Sequence, residues 1–187
     1  MIMENLIETI QKNLGYQSLN KIDPNTQEVT EENKTFGSYS LAQAAIPAVL
    51  IGVYDFLEKK EGYNTIKEGG NINWMDILFG NKKVEFNKKI AGYASVSPES
   101  AAQENEHIAN EAVRLVQKWI KEGKDFQQTN EMAKSQKQET LHYLPAALQI
   151  GYLLGNNNID DRTNKMEGPI SNFMHAIEKQ FNQSGEE

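Results

Sequence analysis

The sequence predicts an all-α fold, a multihelical bundle. Three observations carry that reading. Apolar residues recur at spacings of three and four from Ile2 to Phe181, the period of helices that bury one face. Glycines and a Ser-Pro-Glu run mark where those periodic stretches stop and start. No run alternates apolar and polar residues over the length of a strand.

The elements follow in order. Ile2, Leu6, Ile7, Ile10 and Leu14 share one face of a helix over 2–14, which Gly15 stops. Residues 16–37 are polar, with a turn at Asp23-Pro24-Asn25. A helix over 38–61 starts near Ser38 or Ser40 and ends before Gly62. Pro47 lies inside it, so a kink or an early break is expected there. Gly69-Gly70 is a loop. A short helix over 73–79 holds Trp74, Ile77, Leu78 and Phe79, and Gly80 ends it. The next helix runs over 82–94. Ser97-Pro98-Glu99 opens another with a cap, a proline in the first turn and an acid. It continues to Glu122, and Gly123 closes it.

Residues 124–138 are rich in Gln and Lys, with Phe126, Met132 and Ala133 as their apolar members. They read as a solvated helix or a mobile linker. Helices over 139–154 and 169–182 complete the chain. The organisation expected is one helical domain over 1–187, with a core unit at 38–123, a linker at 124–138 and a C-terminal helical pair at 139–182 packed on the core. A unit of roughly 50 residues makes a poor core by itself. Leu50, Trp74, Leu78, Ile90, Leu115, Trp119, Leu148 and Phe173 are the expected core residues.

One internal echo is present. Ile46-Pro47-Ala48-Val49-Leu50 with Tyr54 matches Leu144-Pro145-Ala146-Ala147-Leu148 with Tyr152 at a constant offset. It reads as a weak duplication or as coincidence between two Ala/Leu-rich helices. Either way it suggests two bent-entry helices packed closely through small residues.

Composition narrows the function classes. The chain carries 19 Lys+Arg against 26 Asp+Glu, a net charge of -7, which argues against a nucleic-acid partner. It has 0 cysteines, so thiolate catalysis, disulfides and Cys-based metal sites are excluded. That fits a reducing, cytoplasmic setting. The N-terminus has neither a basic nor a long apolar signal region. The apolar stretch from Leu41 to Leu57 is interrupted by Gln43 and Asp55, so it reads as a core helix and no membrane span is expected.

The sharpest chemical pattern is a pair of Glu-x-x-His motifs, Glu104 to His107 and Glu139 to His142. Such pairs hold two metals in di-iron bundles when they face inward. Helical geometry turns His107 away from the face of Ile108, Ala112, Leu115 and Trp119. His175 likewise points away from Ile170, Phe173 and Ile177. Glu139, His142 and Gln149 share a narrow polar strip on their helix. The histidines do not converge, so no metal site is expected and no cofactor is implied. Phosphate-cradling loops, nucleophile elbows and dinucleotide fingerprints are absent. The pairs Glu31-Glu32 and Asp160-Asp161 read as solvated loops. Lys82-Lys83 and Lys88-Lys89 form a small basic face.

The run Ile77-Leu78-Phe79-Gly80-Asn81-Lys82, then Val84, Ile90-Ala91 and Val96-Ser97-Pro98-Glu99, resembles the core pattern of the YidB-like family of bacterial proteins, a domain of unknown function. Upstream, Ala45-Ile46-Pro47-Ala48-Val49-Leu50-Ile51-Gly52 resembles that family's Ala-Leu-Pro-Ala-Leu-Leu-x-Gly segment, in the expected order. The resemblance spans about residues 38–120. Glu104-Asn105-Glu106-His107 departs from the family's more apolar later helix. The resemblance implies an all-helical bacterial protein and brings no catalytic residues with it. The expected function is a non-enzymatic structural or protein-interaction module that meets a protein partner or a second copy. The alternative is a helical bundle that binds a small ligand or metal through Glu139, His142 and Gln149.

Overall fold

In the computed structural model, residues 5–23, 25, 28–29 and 37–155 are described. Among them the fold is all-α. The expected helix over 169–182, with Phe173 and His175, and the acidic pairs Glu31-Glu32 and Asp160-Asp161 lie outside the described residues.

The first helix, α1, spans Leu6–Leu14. Asn5 caps it by accepting from the Ile7 and Glu8 amides at 2.9 and 3.3 Å, and Gly15 ends it with φ of 76°. Helix α2 spans Ser38–Leu57 and α3 spans Lys60–Glu68. Helix α4 spans Trp74–Phe79 and continues through a 3-10 turn, Gly80–Lys82, into α5, Lys83–Ala94. Helix α6 spans Pro98–Lys121, α7 spans Phe126–Thr140 and α8 spans Ile150–Leu154.

Helix α2 is the axis of the structure. It packs on α1, α3, α4, α5, α6 and α7, and Ser40 to Tyr54 is buried without interruption. It is long and apolar enough to cross a membrane by length and composition, yet it is enclosed by the other helices. An apolar helix without a polar face must be surrounded, and here protein surrounds it. Pro47 does not break it. A proline inside a helix forfeits one backbone hydrogen bond, a cost of about 3 kcal/mol, and burial of the apolar neighbours on every side offsets that cost.

The helix expected to run to residue 61 ends at Leu57 instead. The chain turns and starts α3, which contains Gly62. A Cβ on Gly62 would lie 1.9 Å from the Phe56 carbonyl oxygen. The glycine is therefore a contact point between two helices, not a helix stop. Gly52 serves similarly, because a Cβ there would lie 2.6 Å from the Phe79 ring.

Most of residues 124–138, read as a solvated helix or a mobile linker, lie in α7. Its entry is a capping box. The Gln128 amide donates to the Asp125 carboxylate at 2.8 Å, and the Asp125 amide donates to the Gln128 side chain at 3.2 Å. Its inner face is Thr129, Ala133, Gln136 and Thr140, small or polar residues that apolar periodicity does not register. Polar bonds hold it instead. Asn130 donates to the Leu57 carbonyl at 3.0 Å, the Leu6 amide donates to Gln136 at 3.3 Å, and Lys137 bonds Asp55 and Glu58.

The expected helix over 139–154 is divided. After α7 come 3-10 turns at Leu141–Tyr143 and Ala146–Leu148, then α8. Leu144 is extended, with ψ of 114°, the conformation that a following proline favours. The two halves of the internal echo thus have different structures. Pro47 lies within a continuous helix, whereas Pro145 follows an extended residue that separates two short turns.

Of the expected core residues, Leu50, Trp74, Ile90, Leu115, Trp119 and Leu148 are buried, and Leu78 is half-buried against them.

Candidate functional site

Glu139 lies in the last turn of α7 and His142 in the 3-10 turn that follows it. This placement brings the two side chains together, with His142 Nδ1 3.5 Å from Glu139 Oε2. The other carboxylate oxygen of Glu139 accepts from Lys21 Nζ at 3.2 Å. That bond holds the Glu139 carboxyl below the usual carboxylate range, and the charges of Lys21 and His142 add to it. Lys21 is correspondingly raised, first by its hydrogen bond to Glu139. The same ammonium stands 5.7 Å from the centre of the Tyr143 ring.

Gln149 does not join them as a continuous helix would require. It follows the Ala146–Leu148 turn and adopts a left-handed backbone with φ of 47°. Its amide donates to the Ala146 carbonyl at 3.0 Å, and its carbonyl accepts from the Leu153 amide at 3.2 Å. The continuous helix on which that strip was expected is broken between His142 and Gln149, and the side chains in contact are Glu139, His142 and Lys21.

Chemically, the pair is a carboxylate that stays ionised beside an imidazole that is 63% exposed. Strong acid–base catalysis needs groups whose environment shifts them toward the working pH. Glu139 moves the other way. Among the described residues no group of three or more His, Asp or Glu side chains is placed to hold a metal ion.

The other Glu-x-x-His run is taken up by structure. Glu104 accepts from the Tyr16 hydroxyl. Asn105 is buried and donates to Asn87 at 2.8 Å. Glu106 accepts from the Trp74 and Met75 amides at 2.8 and 3.1 Å, which satisfies the free N–H groups opening α4. His107 is exposed, as its helical position predicts.

Sequence reasoning missed several polar anchors. Gln43, read as an interruption of an apolar stretch, accepts from the Asn20 amide at 2.9 Å and donates to the carbonyls of Asn20 and Tyr143 at 3.1 and 3.0 Å. Glu28 accepts from the Tyr93 hydroxyl at 3.2 Å and from the Ala147 amide at 3.4 Å. The available signal was a lone polar residue in an apolar run for Gln43. Glu28 had none.

Among the described residues, two of the open surface depressions lie beside α7. One of about 370 Å³ is lined by Lys124, Gln128, Glu131, Met132 and Ser135. The other, about 470 Å³, is lined by Glu58, Phe126, Gln127, Asn130, Glu131 and Lys134. Neither includes Glu139, His142 or Gln149. Large apolar side chains reach solvent at Ile77, Val84 and Tyr152, which are 40, 62 and 66% exposed. Ile77 and Val84 flank the turn between α4 and α5. Trp74, Met75 and Phe79 of the same short helix are buried. Of the basic residues near this corner, Lys83 pairs with Asp76, while Lys82 and Lys88 are exposed.

Comparison with protein-family models, with curated proteins and with solved structures gives no match to this chain.

Proposed function

We propose that this chain is a bacterial, cytoplasmic protein related to the YidB-like family and acts as a non-enzymatic protein-interaction module. The observation that carries the reading is the α4–α5 corner. Val84 is 62% exposed and Ile77 40% exposed, inside the segment whose sequence resembles that family. In this reading Ile77 and Val84, the large apolar side chains exposed on α4 and α5, are the surface offered to the partner. Around the chemical motifs, by contrast, Glu104, Glu106 and Glu139 spend their carboxylates on neighbouring side chains and helix ends.

Affinity capture from the native cell with the full chain and with Val84→Asp tests this. A protein partner, or a second copy, recovered with the natural chain and lost with a normally folded Val84→Asp supports the reading. Identical recovery with both chains overturns the corner as the contact surface. Elemental analysis of untagged protein addresses the ligand-binding alternative. One equivalent of iron or zinc that disappears in His142→Ala would favour Glu139 and His142 as a metal site.

A further inference from the structure

Helix α7 is attached to the molecule differently from the helix before it. Helix α6 buries Ile108, Val113, Leu115, Val116 and Trp119. The buried face of α7 is Thr129, Ala133, Gln136 and Thr140, which withdraws little apolar surface from water. Two of these residues weaken the contact further. The Thr129 hydroxyl is buried without a hydrogen bond among the described residues, and the Thr140 hydroxyl meets that of Tyr54 in α2 in poor geometry. Buried polar groups in that state cost free energy when the helix docks.

A few directional contacts hold α7 in place. Lys137, with its side chain 14% exposed, bonds Asp55 and Glu58 near the end of α2. Asn130 donates to the Leu57 carbonyl, and Gln136 accepts from the Leu6 amide that opens α1. The helix is flanked by turns at which the chain can pivot. Gly123 has φ of 92° before it, and Leu144 is extended ahead of Pro145 after it. Beyond that turn the chain is anchored again, because Leu144, Leu148, Ile150 and Leu153 belong to the common core.

Elements with few buried apolar contacts open at a lower free energy than the whole molecule. We propose that α7 is a strap that lifts from α2 as one unit while the other helices stay packed, with Lys137 as its latch. Lifting uncovers Tyr54 and the first turn of α1. This device does not depend on the proposed role of the α4–α5 corner.

Hydrogen exchange of the full chain, followed amide by amide where rates scale with hydroxide concentration, reads the opening equilibrium. The amides from Asn130 to Thr140 should be protected, yet exchange at least about tenfold faster than those from Leu50 to Tyr54 of α2. Ile90 is fully buried in α5. Ile90→Ala should speed the α2 amides at least about tenfold and leave the α7 amides within about twofold. Equal acceleration of both sets overturns the proposal, because α7 would then open only with the whole molecule. Should the alanine variant fail to fold, Ile90→Val makes the same comparison with a smaller factor. Lys137→Ala should speed every amide from Asn130 to Thr140 by one common factor of at least about fivefold. Acceleration confined to the turn around Lys137 overturns the proposal in favour of local fraying.

Discussion

Tyr54 buries its whole side chain in α2, and its hydroxyl lies beside the Thr140 hydroxyl of α7. Burial raises the phenol's pKa, with Thr140 of α7 opposing the shift. The two hydroxyls meet in poor hydrogen-bond geometry, and a buried hydroxyl left unsatisfied costs about 1–3 kcal/mol. Tyr54→Phe is therefore expected to be as stable as the natural chain or about 1 kcal/mol more stable, measured as a denaturant midpoint. The same residue shapes the response to alkali. Burial also raises Tyr93, with the neighbouring Glu28 charge adding to it. For Lys137, burial opposes the charge, but hydrogen bonds to Asp55 and Glu58 outweigh it and the pKa is raised. A group with a raised folded pKa contributes stability that is complete below its unfolded value and is lost as pH rises through the folded one. The unfolded references here are 10.0 for the tyrosines and 10.5 for the lysine. The midpoint should therefore stay level on the alkaline side until about pH 10 and fall above it. The fall should be shallower in Tyr54→Phe, and an equally steep fall in that variant would contradict the burial argument. Glu139 behaves oppositely, since its lowered pKa contributes above 4.5 and is lost as pH falls. It is a surface group, so Glu139→Gln should shift stability by less than about 1 kcal/mol.

At the scale of the element, helix ends are closed by side chains from other helices. Asn130 takes the last carbonyl of α2, Gln117 bonds the Ile66 carbonyl near the end of α3 at 2.9 Å, and Glu106 takes the first amides of α4. Such ends are hard to read from sequence, because the closing residue lies far away along the chain. Local signals were legible. Ser97 accepts from the Ser100 amide at 3.1 Å, as its place before Pro98 predicts, and Gly80 and Gly123 close their helices with positive φ. Helix α7 was less legible because its buried face is Thr129, Ala133, Gln136 and Thr140. Removing its capping carboxylate in Asp125→Ala should cost about 1 kcal/mol. Amides from Ala133 to Lys137 should exchange slowly with solvent, and rapid exchange there would mean the polar bonds do not hold the helix. The α2–α3 joint admits a harsher test. Gly62→Ala places a methyl group against the Phe56 backbone, and a loss of about 2–3 kcal/mol is expected. A midpoint unchanged by that substitution would show that the joint relaxes freely.

For the molecule as a whole, the periodic apolar residues foretold the bundle and most of its core. The site was less visible because the expected strip assumed an unbroken helix through Pro145, and Gln149 moved with the break. The segment after the break still belongs to the main body. Ile22 donates to the His142 carbonyl at 2.8 Å, Gln43 reaches Tyr143, and Leu148 shares one core with Leu115 and Leu50. Leu115→Ala and Leu148→Ala should each cost about 2–5 kcal/mol and lower a single cooperative transition. Two transitions, with Leu148→Ala moving only one of them, would mean that the two parts unfold separately.

The central position of α2 has a consequence during synthesis. Its covers α5, α6 and α7 are all encoded downstream, so roughly 80 residues must follow Leu57 before the last of them is complete, an interval of about 4–16 s at ordinary translation speed. Until those covers form, the nascent chain carries an incompletely covered helix that is long and apolar enough, by length and composition, to cross a membrane. Chaperones and membrane-targeting factors that sample emerging chains read such rods by length and greasiness alone. Packing of the later helices on α2 is what withdraws that apolar surface from recognition.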